Sequence, residues 1–134
     1  MNEATLLIYH MNPAREAMLS ALCRAHKIKP VHIPDSQGKV PIGLLTGAAD
    51  PMKVIYESGL RLSKQTAGQL IDEEMIVMAD FSESLFLSFL NELRQVSLRI
   101  DLKAVMTDEN RYWNGEMLQK ELKKERAAFL SARK

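Results

Sequence analysis

Three histidines, one cysteine and a few well-placed carboxylates are what this 134-residue chain offers for acid-base, nucleophilic or metal chemistry. His10 closes the apolar run Thr5 to Tyr9, where an imidazole can act as acid or base near neutral pH, although a half-buried His bonded to backbone fits the same place. Cys23 and His26 stand three apart and would share a helix face. Two ligands do not make a zinc site, which needs four groups or three and a water, so a buried thiol beside a solvated imidazole is expected. Asp80 follows a second apolar run, Met75 to Ala79, and is placed either to meet a ligand or to cap the next helix. Thr107, Asp108, Asn110 and Arg111 follow a later extended stretch and lie beside Tyr112 and Trp113, a pattern that also suits an ordinary loop. The chain has no GxGxxG after a strand, no P-loop GKS or GKT, no HExxH, no CxxC and no GxSxG. No catalytic residue, metal ligand or cofactor is therefore assigned.

Composition narrows the class. With 46% hydrophobic and 26% charged residues and a net charge of +1, the chain is ordinary globular material without a strongly charged partner. The lone cysteine excludes an intrachain disulfide and suits a reducing compartment. The first twelve residues do not form a secretory signal, and no apolar run is long enough to span a bilayer. One soluble cytoplasmic domain over residues 1–134 is expected, with residues 48–72 as a mobile insertion and with neither nucleic acid nor membrane as partner. Lys120, Lys123, Lys124, Arg126, Arg133 and Lys134 make the end of the chain basic. Acids are interleaved there, which predicts helical pairs such as Glu116 with Lys120. The eight methionines are scattered as core filler.

The elements that would position these residues are legible from pattern. Thr5 to Tyr9 and Met75 to Ala79 are apolar throughout and read as central strands covered on both faces. Each is followed by a helix start. Asn12 is a favoured N-cap before Pro13, and Ser82 is another, with Phe81 set to staple onto Phe86. Ala14, Met18, Leu19 and Leu22 give the first helix a stripe, and Leu85, Phe86, Phe89, Leu90 and Leu93 give one to the second. Val31 to Ile33 reads as a short edge strand. From Val96 to Met106 the period is two, which predicts a longer second edge strand. The chain thus contains two strand–helix–strand halves. Between them, residues 34–74 are broken by Gly and Pro; Pro41 to Thr46 suggests one helical turn, Asp50-Pro51 opens a second short helix, and Arg61 to Asp72 is expected to be locally disordered. Asn114 caps a last helix with Trp113 stapled to Leu118, and with Met117, Leu118, Leu122 and Phe129 as its stripe.

The layout LLIYHMNP, GLLTG, MIVMADFS and above all LKAVMTDENRYW, from Leu102 to Trp113, resembles a bacterial family known as domain of unknown function 3783. The resemblance implies this fold and a bacterial cytoplasmic setting but names no substrate. The expected fold is α/β, a four-stranded mostly parallel sheet of order 2-1-3-4 with helices on both faces; a ferredoxin-like sheet is the alternative if the third strand runs antiparallel to the first. A ligand would sit where the first and third strands diverge, among Asn12, Asp80, Ser82, Thr107 and Asn110, where helix starts favour an anion. The expected function is a non-enzymatic module that binds a small ligand or a protein, including a second copy of the chain. The alternative is an enzyme or receiver-like domain acting on a small phosphorylated or nucleotide-like ligand.

Overall fold

The computed structural model describes residues 3–47, 52–53 and 71–132. Strand β1 (Thr5–Tyr9) leads into helix α1 (Pro13–Ala25) and strand β2 (Lys29–Ile33), followed by a 3-10 turn (Asp35–Gln37) and the short helix α2 (Ile42–Thr46). Strand β3 (Met75–Ala79), helix α3 (Glu83–Gln95), strand β4 (Leu102–Val105), a 3-10 turn (Asn110–Tyr112) and helix α4 (Gly115–Ala132) repeat that series. Met52 and Lys53 are helical, as the Asp50-Pro51 signature predicts; the rest of that helix and Arg61 to Leu70 lie outside the described residues. Ile71 is buried and Asp72 is held by hydrogen bonds, so the end of the expected disordered stretch is anchored.

The sheet is α/β with order β2-β1-β3-β4 and is parallel in both outer pairs. Its central pair is antiparallel, Thr5 opposite Ala79 and Tyr9 opposite Met75. That corrects the expectation of a β3 parallel to β1. The reason is the path of the chain. β2 ends at the same end of the sheet at which β3 begins. The ferredoxin-like alternative has the antiparallel seam but not the parallel outer pairs, nor layers on both faces.

Direction fixes where the helices go. Two crossovers of one hand, attached to strands that run oppositely, lie on the same face. Leu19 and Cys23 of α1 and Phe89 and Leu93 of α3 accordingly share one core with Leu6, Ile8, Ile76 and Met78. The other face of the same strands, Leu7, Tyr9, Met75 and Val77, packs with Ile42 of α2 and Leu118 of α4. Helices do cover both faces, but α1 and α3 do not take opposite ones.

The halves are related by an approximate two-fold axis through the Leu7–Val77 pair. His10 and Asp80, seventy residues apart, both have positive φ, 55° and 62°. So do Lys27 and Ser97, at 60° and 56°. Each of the latter two ends its helix in a Schellman turn: Ile28 N–H bonds Cys23 O at 2.8 Å, and Leu98 N–H bonds Leu93 O at 2.9 Å. Even the bridge between Pro41 and Asn114 joins equivalent positions.

Most stripes fall as their spacing predicts, with three corrections. Ala14 and Met18 of α1 are exposed and Cys23 takes their place, because the buried line runs through Leu19 and Cys23 at an interval of four. Phe129 is 62% exposed, beyond the part of α4 that reaches the sheet. The alternating run from Val96 to Met106 is not one strand: Leu98 and Ile100 enter the α1–α3 core, and Leu102 and Ala104 enter the opposite one. The caps hold. Ser82 Oγ accepts from Leu85 N–H at 3.1 Å and Asn114 Oδ1 from Met117 N–H at 2.8 Å, while Phe81 meets Phe89 edge to face at 5.7 Å.

Candidate functional site

The antiparallel seam separates the five residues expected to form one ligand site. Asn12 follows β1 at one end of the sheet, whereas Asp80, Ser82, Thr107 and Asn110 follow β3 and β4 at the other. A five-residue strand, roughly 17 Å long, lies between the two ends. The crevice expected between the carboxyl ends of β1 and β3 is therefore not assembled. Nor is a receiver-like cluster, which would need the ends of those same strands together.

Several of the five also carry local duties. Asn12 Oδ1 accepts from Ala14 N–H at 2.8 Å. Thr107 and Asn110 close on each other: Asn110 Oδ1 accepts from Thr107 N–H at 2.7 Å, and Thr107 Oγ1 accepts from Asn110 N–H at 3.0 Å. Asp80 remains exposed, in the left-handed backbone region that Asp tolerates better than most residues.

At the Asn12 end, sequence reading missed the better constellation. The positive φ of His10 sets its ring beside the 3-10 turn, and Nδ1 meets both carboxylate oxygens of Asp35 at 3.1 and 2.9 Å. His32 pairs in register with Ile8, whose side chain faces α1, so His32 faces α1 as well. Its Nδ1 lies 3.0 Å from both oxygens of Glu16 in the first turn of that helix. Ionised carboxylates only accept, so Nδ1 carries the proton in each ring and Nε2 is the atom left for another partner. A crevice of about 380 Å³ at the carboxyl ends of β1 and β2 is lined by His10, Asn12, His32 and Asp35, with Met11 and Ile33 among its apolar walls. The signal for this pair was the alternation Val31-His32-Ile33, which puts a histidine on the helix-facing side of an edge strand.

The start of α1 points at this crevice but offers it little. Pro13 has no N–H, and the Ala14 N–H is occupied by Asn12. Each imidazole is already matched by a carboxylate. The free chemistry is thus a pair of oriented Nε2 atoms, without a surplus of positive charge.

Beside it, the triplet Asp72-Glu73-Glu74 enters β3 at the floor of a wider depression of about 480 Å³. These acids are matched. Asp72 pairs with Lys123, Glu73 is held in a fork by Arg126 at 2.9 and 2.8 Å, and Glu74 by Arg15 at 3.0 and 2.7 Å. Hydrogen bonds from Lys123 and Arg126 hold Asp72 and Glu73 below the usual carboxylate range. The basic residues of α4 thus reach across the fold, while Glu116, expected to pair with Lys120, is buried at the helix start.

Cys23 is fully buried, and burial pushes its thiol up to about 12, so it is not a ready nucleophile. Among the described residues no group of three or more His, Cys, Asp and Glu side chains is placed to hold a metal ion, and no helix is long and apolar enough to cross a membrane.

Comparison with known proteins gives one result that bears on this geometry. Neither a curated protein nor a solved structure matches the chain. A family model described as Domain of unknown function (DUF3783) matches residues 74–129. That stretch begins at the last acid of the triplet and takes in β3, α3, β4 and most of α4, which is one of the two pseudo-equivalent halves. The second half of this chain, residues 74–129, is accordingly the part that resembles the DUF3783 family.

Proposed function

We propose that the protein is a non-enzymatic binding module whose ligand is a small polar molecule presenting hydrogen-bond donors, hydroxyl or N–H groups, to His10 and His32. A bacterial cytoplasm, inferred from the single cysteine and the family resemblance, is its proposed setting. The observation that carries the reading is the pair of carboxylate-anchored imidazoles on one crevice. A carboxylate on Nδ1 fixes the ring's tautomer and orientation, the arrangement used where a histidine must hold a partner in a set direction. The volume of about 380 Å³ falls within the range of small-molecule sites.

Two features separate this from the anion site expected from sequence. At the N-terminus of α1 the Asn12 cap takes the Ala14 N–H and Pro13 has none, and Asp35 and Glu16 stand against the two rings. Asn12 keeps a place in the proposed site as a wall residue. Asp80, Ser82, Thr107 and Asn110 remain a second candidate site at the pseudo-equivalent end.

The test is a thermal-shift panel of nucleosides, polyols and inorganic phosphate on the wild type and on His10→Phe and His32→Phe. A ligand at about 100 times its dissociation constant adds about 2.7 kcal/mol, which moves the melting point by roughly 4 °C or more. A hydroxyl- or N–H-rich compound should shift the wild type and fail to shift either variant. A shift by phosphate that survives both substitutions would refute the assignment.

A further inference from the structure

The halves of the fold differ most in the link from the second helix to its strand, and that difference opens a groove. Thr5 pairs with Lys29, 24 residues on, whereas Met75 pairs with Leu102, 27 residues on. The three additional residues are Arg99, Ile100 and Asp101, which stand between the Schellman turn and β4. Beside them, a groove of about 400 Å³ runs between the C-terminal turns of α3 and the outer strand.

The floor of this groove is Leu90, Leu93, Leu98 and Ile100. Its rim carries Arg94, Arg99 and Lys103, and none of its eight lining residues is acidic. The link is pinned from both sides. Arg15 donates to Arg99 O at 2.6 Å, and Lys103 Nζ to Ile100 O at 2.5 Å. These bonds fix the backbone of the link beside the groove.

The geometry points to a binding site for a small anionic amphiphile, a medium-chain carboxylate whose tail lies on the leucine and isoleucine floor and whose head meets Arg94 and Lys103. Size selects a small molecule. A stable protein interface buries roughly 800 Å² on each partner, far more than a groove with eight lining residues presents. Small-ligand sites run from about 300 to 1,000 Å³, a range that includes this volume. Charge selects the head group: Arg99 is paired with Asp101 at 3.2 Å, but Arg94 and Lys103 line the groove with no carboxylate among its lining residues, which favours an anion and disfavours an ammonium. The aliphatic stems of Arg94 and Lys103 extend the apolar wall towards the charged rim. This site is separate from the histidine crevice and stands or falls independently of it.

The experiment is a titration of the full-length, ¹⁵N-labelled chain with sodium octanoate below its micelle concentration, followed through backbone amide shifts. Octanol and octylammonium serve as neutral and cationic controls. Octanoate should give saturable shifts centred on Leu90, Ser97 and Leu98, with octanol and octylammonium at least about tenfold weaker. Arg94→Gln and Lys103→Gln should each weaken octanoate by about tenfold. Because Lys103 also pins the link, Arg94→Gln, an exposed position at the end of α3, is decisive if Lys103→Gln loses amide dispersion. Equal binding by octylammonium, shifts centred elsewhere, or an Arg94→Gln variant that binds octanoate as the wild type does would overturn the proposal.

Discussion

The phenol of Tyr9 is fully buried, and its hydroxyl has no hydrogen-bond partner among the described residues. Desolvation drives its pKa far above the ordinary tyrosine value. An unpaired buried hydroxyl costs about 1 to 3 kcal/mol, so Tyr9→Phe should raise stability by about 1 kcal/mol, read as a higher urea midpoint with an unchanged slope. A lower midpoint would mean that the hydroxyl is solvated. The ring also dictates Gly115, since a Cβ there would lie 2.6 Å from Tyr9 Cε2. Nothing local announces that need. Asn114 was readable as a cap because it acts within one turn of chain, whereas Gly115 is set by a residue more than a hundred positions away. The same contrast divides the site residues. Asn12 and Ser82 were read correctly as caps, but Asp35 and Glu16 take their meaning only from the rings they meet.

At the scale of elements, the two Schellman turns place Lys27 and Ser97 in the left-handed region, where glycine is the usual residue. A non-glycine residue there costs about 1 to 2 kcal/mol, while glycine loses roughly 0.5 to 1 kcal/mol more backbone entropy on folding. The first effect wins, so Lys27→Gly and Ser97→Gly should each stabilise by about 0.5 to 1 kcal/mol. Belonging to different halves, they should add within about 0.5 kcal/mol in a denaturation series. A loss of stability in either would show that its side chain contributes more than its backbone costs. The existence and type of these elements were legible because apolar runs, periodic stripes and caps are local. The direction of β3 was not, since it depends on the route taken by residues 34–74. Nor was the break at Ile100, because alternation reads the same whether successive apolar residues point into one core or, after a bend, into two.

At the scale of the molecule, three consecutive acids tie both helical layers to the sheet: Asp72 and Glu73 reach α4, and Glu74 reaches α1. The folded-state values of Asp72 and Glu73 are lowered, so their contribution is present above the unfolded carboxylate range and is lost as pH falls through the folded values. Arg126→Gln should therefore be less stable than the wild type at pH 7, by an amount that solvent screening keeps small. The gap should close as pH drops below about 4, where unperturbed carboxylates protonate. Melting points of the two proteins measured from pH 7 to pH 2.5 test this. A constant gap would assign the effect of Arg126 to packing rather than to charge.

The seam at Leu7 and Val77 is also the place where two molecules would exchange halves if they did so. Each half presents to the other a bare five-residue strand of the same apolar character, joined antiparallel about the axis that relates the halves. A chain whose halves part offers two unpaired inner edges, and the corresponding half of a second chain can seat there in the register that its own half has left. Exchanged dimers formed in this way would repeat the native seam twice and need no new interface. The outer edges, β2 and β4, are where an open-ended assembly would have to grow. They carry exposed Lys29 and Lys103, the kind of charge that blunts further strand addition.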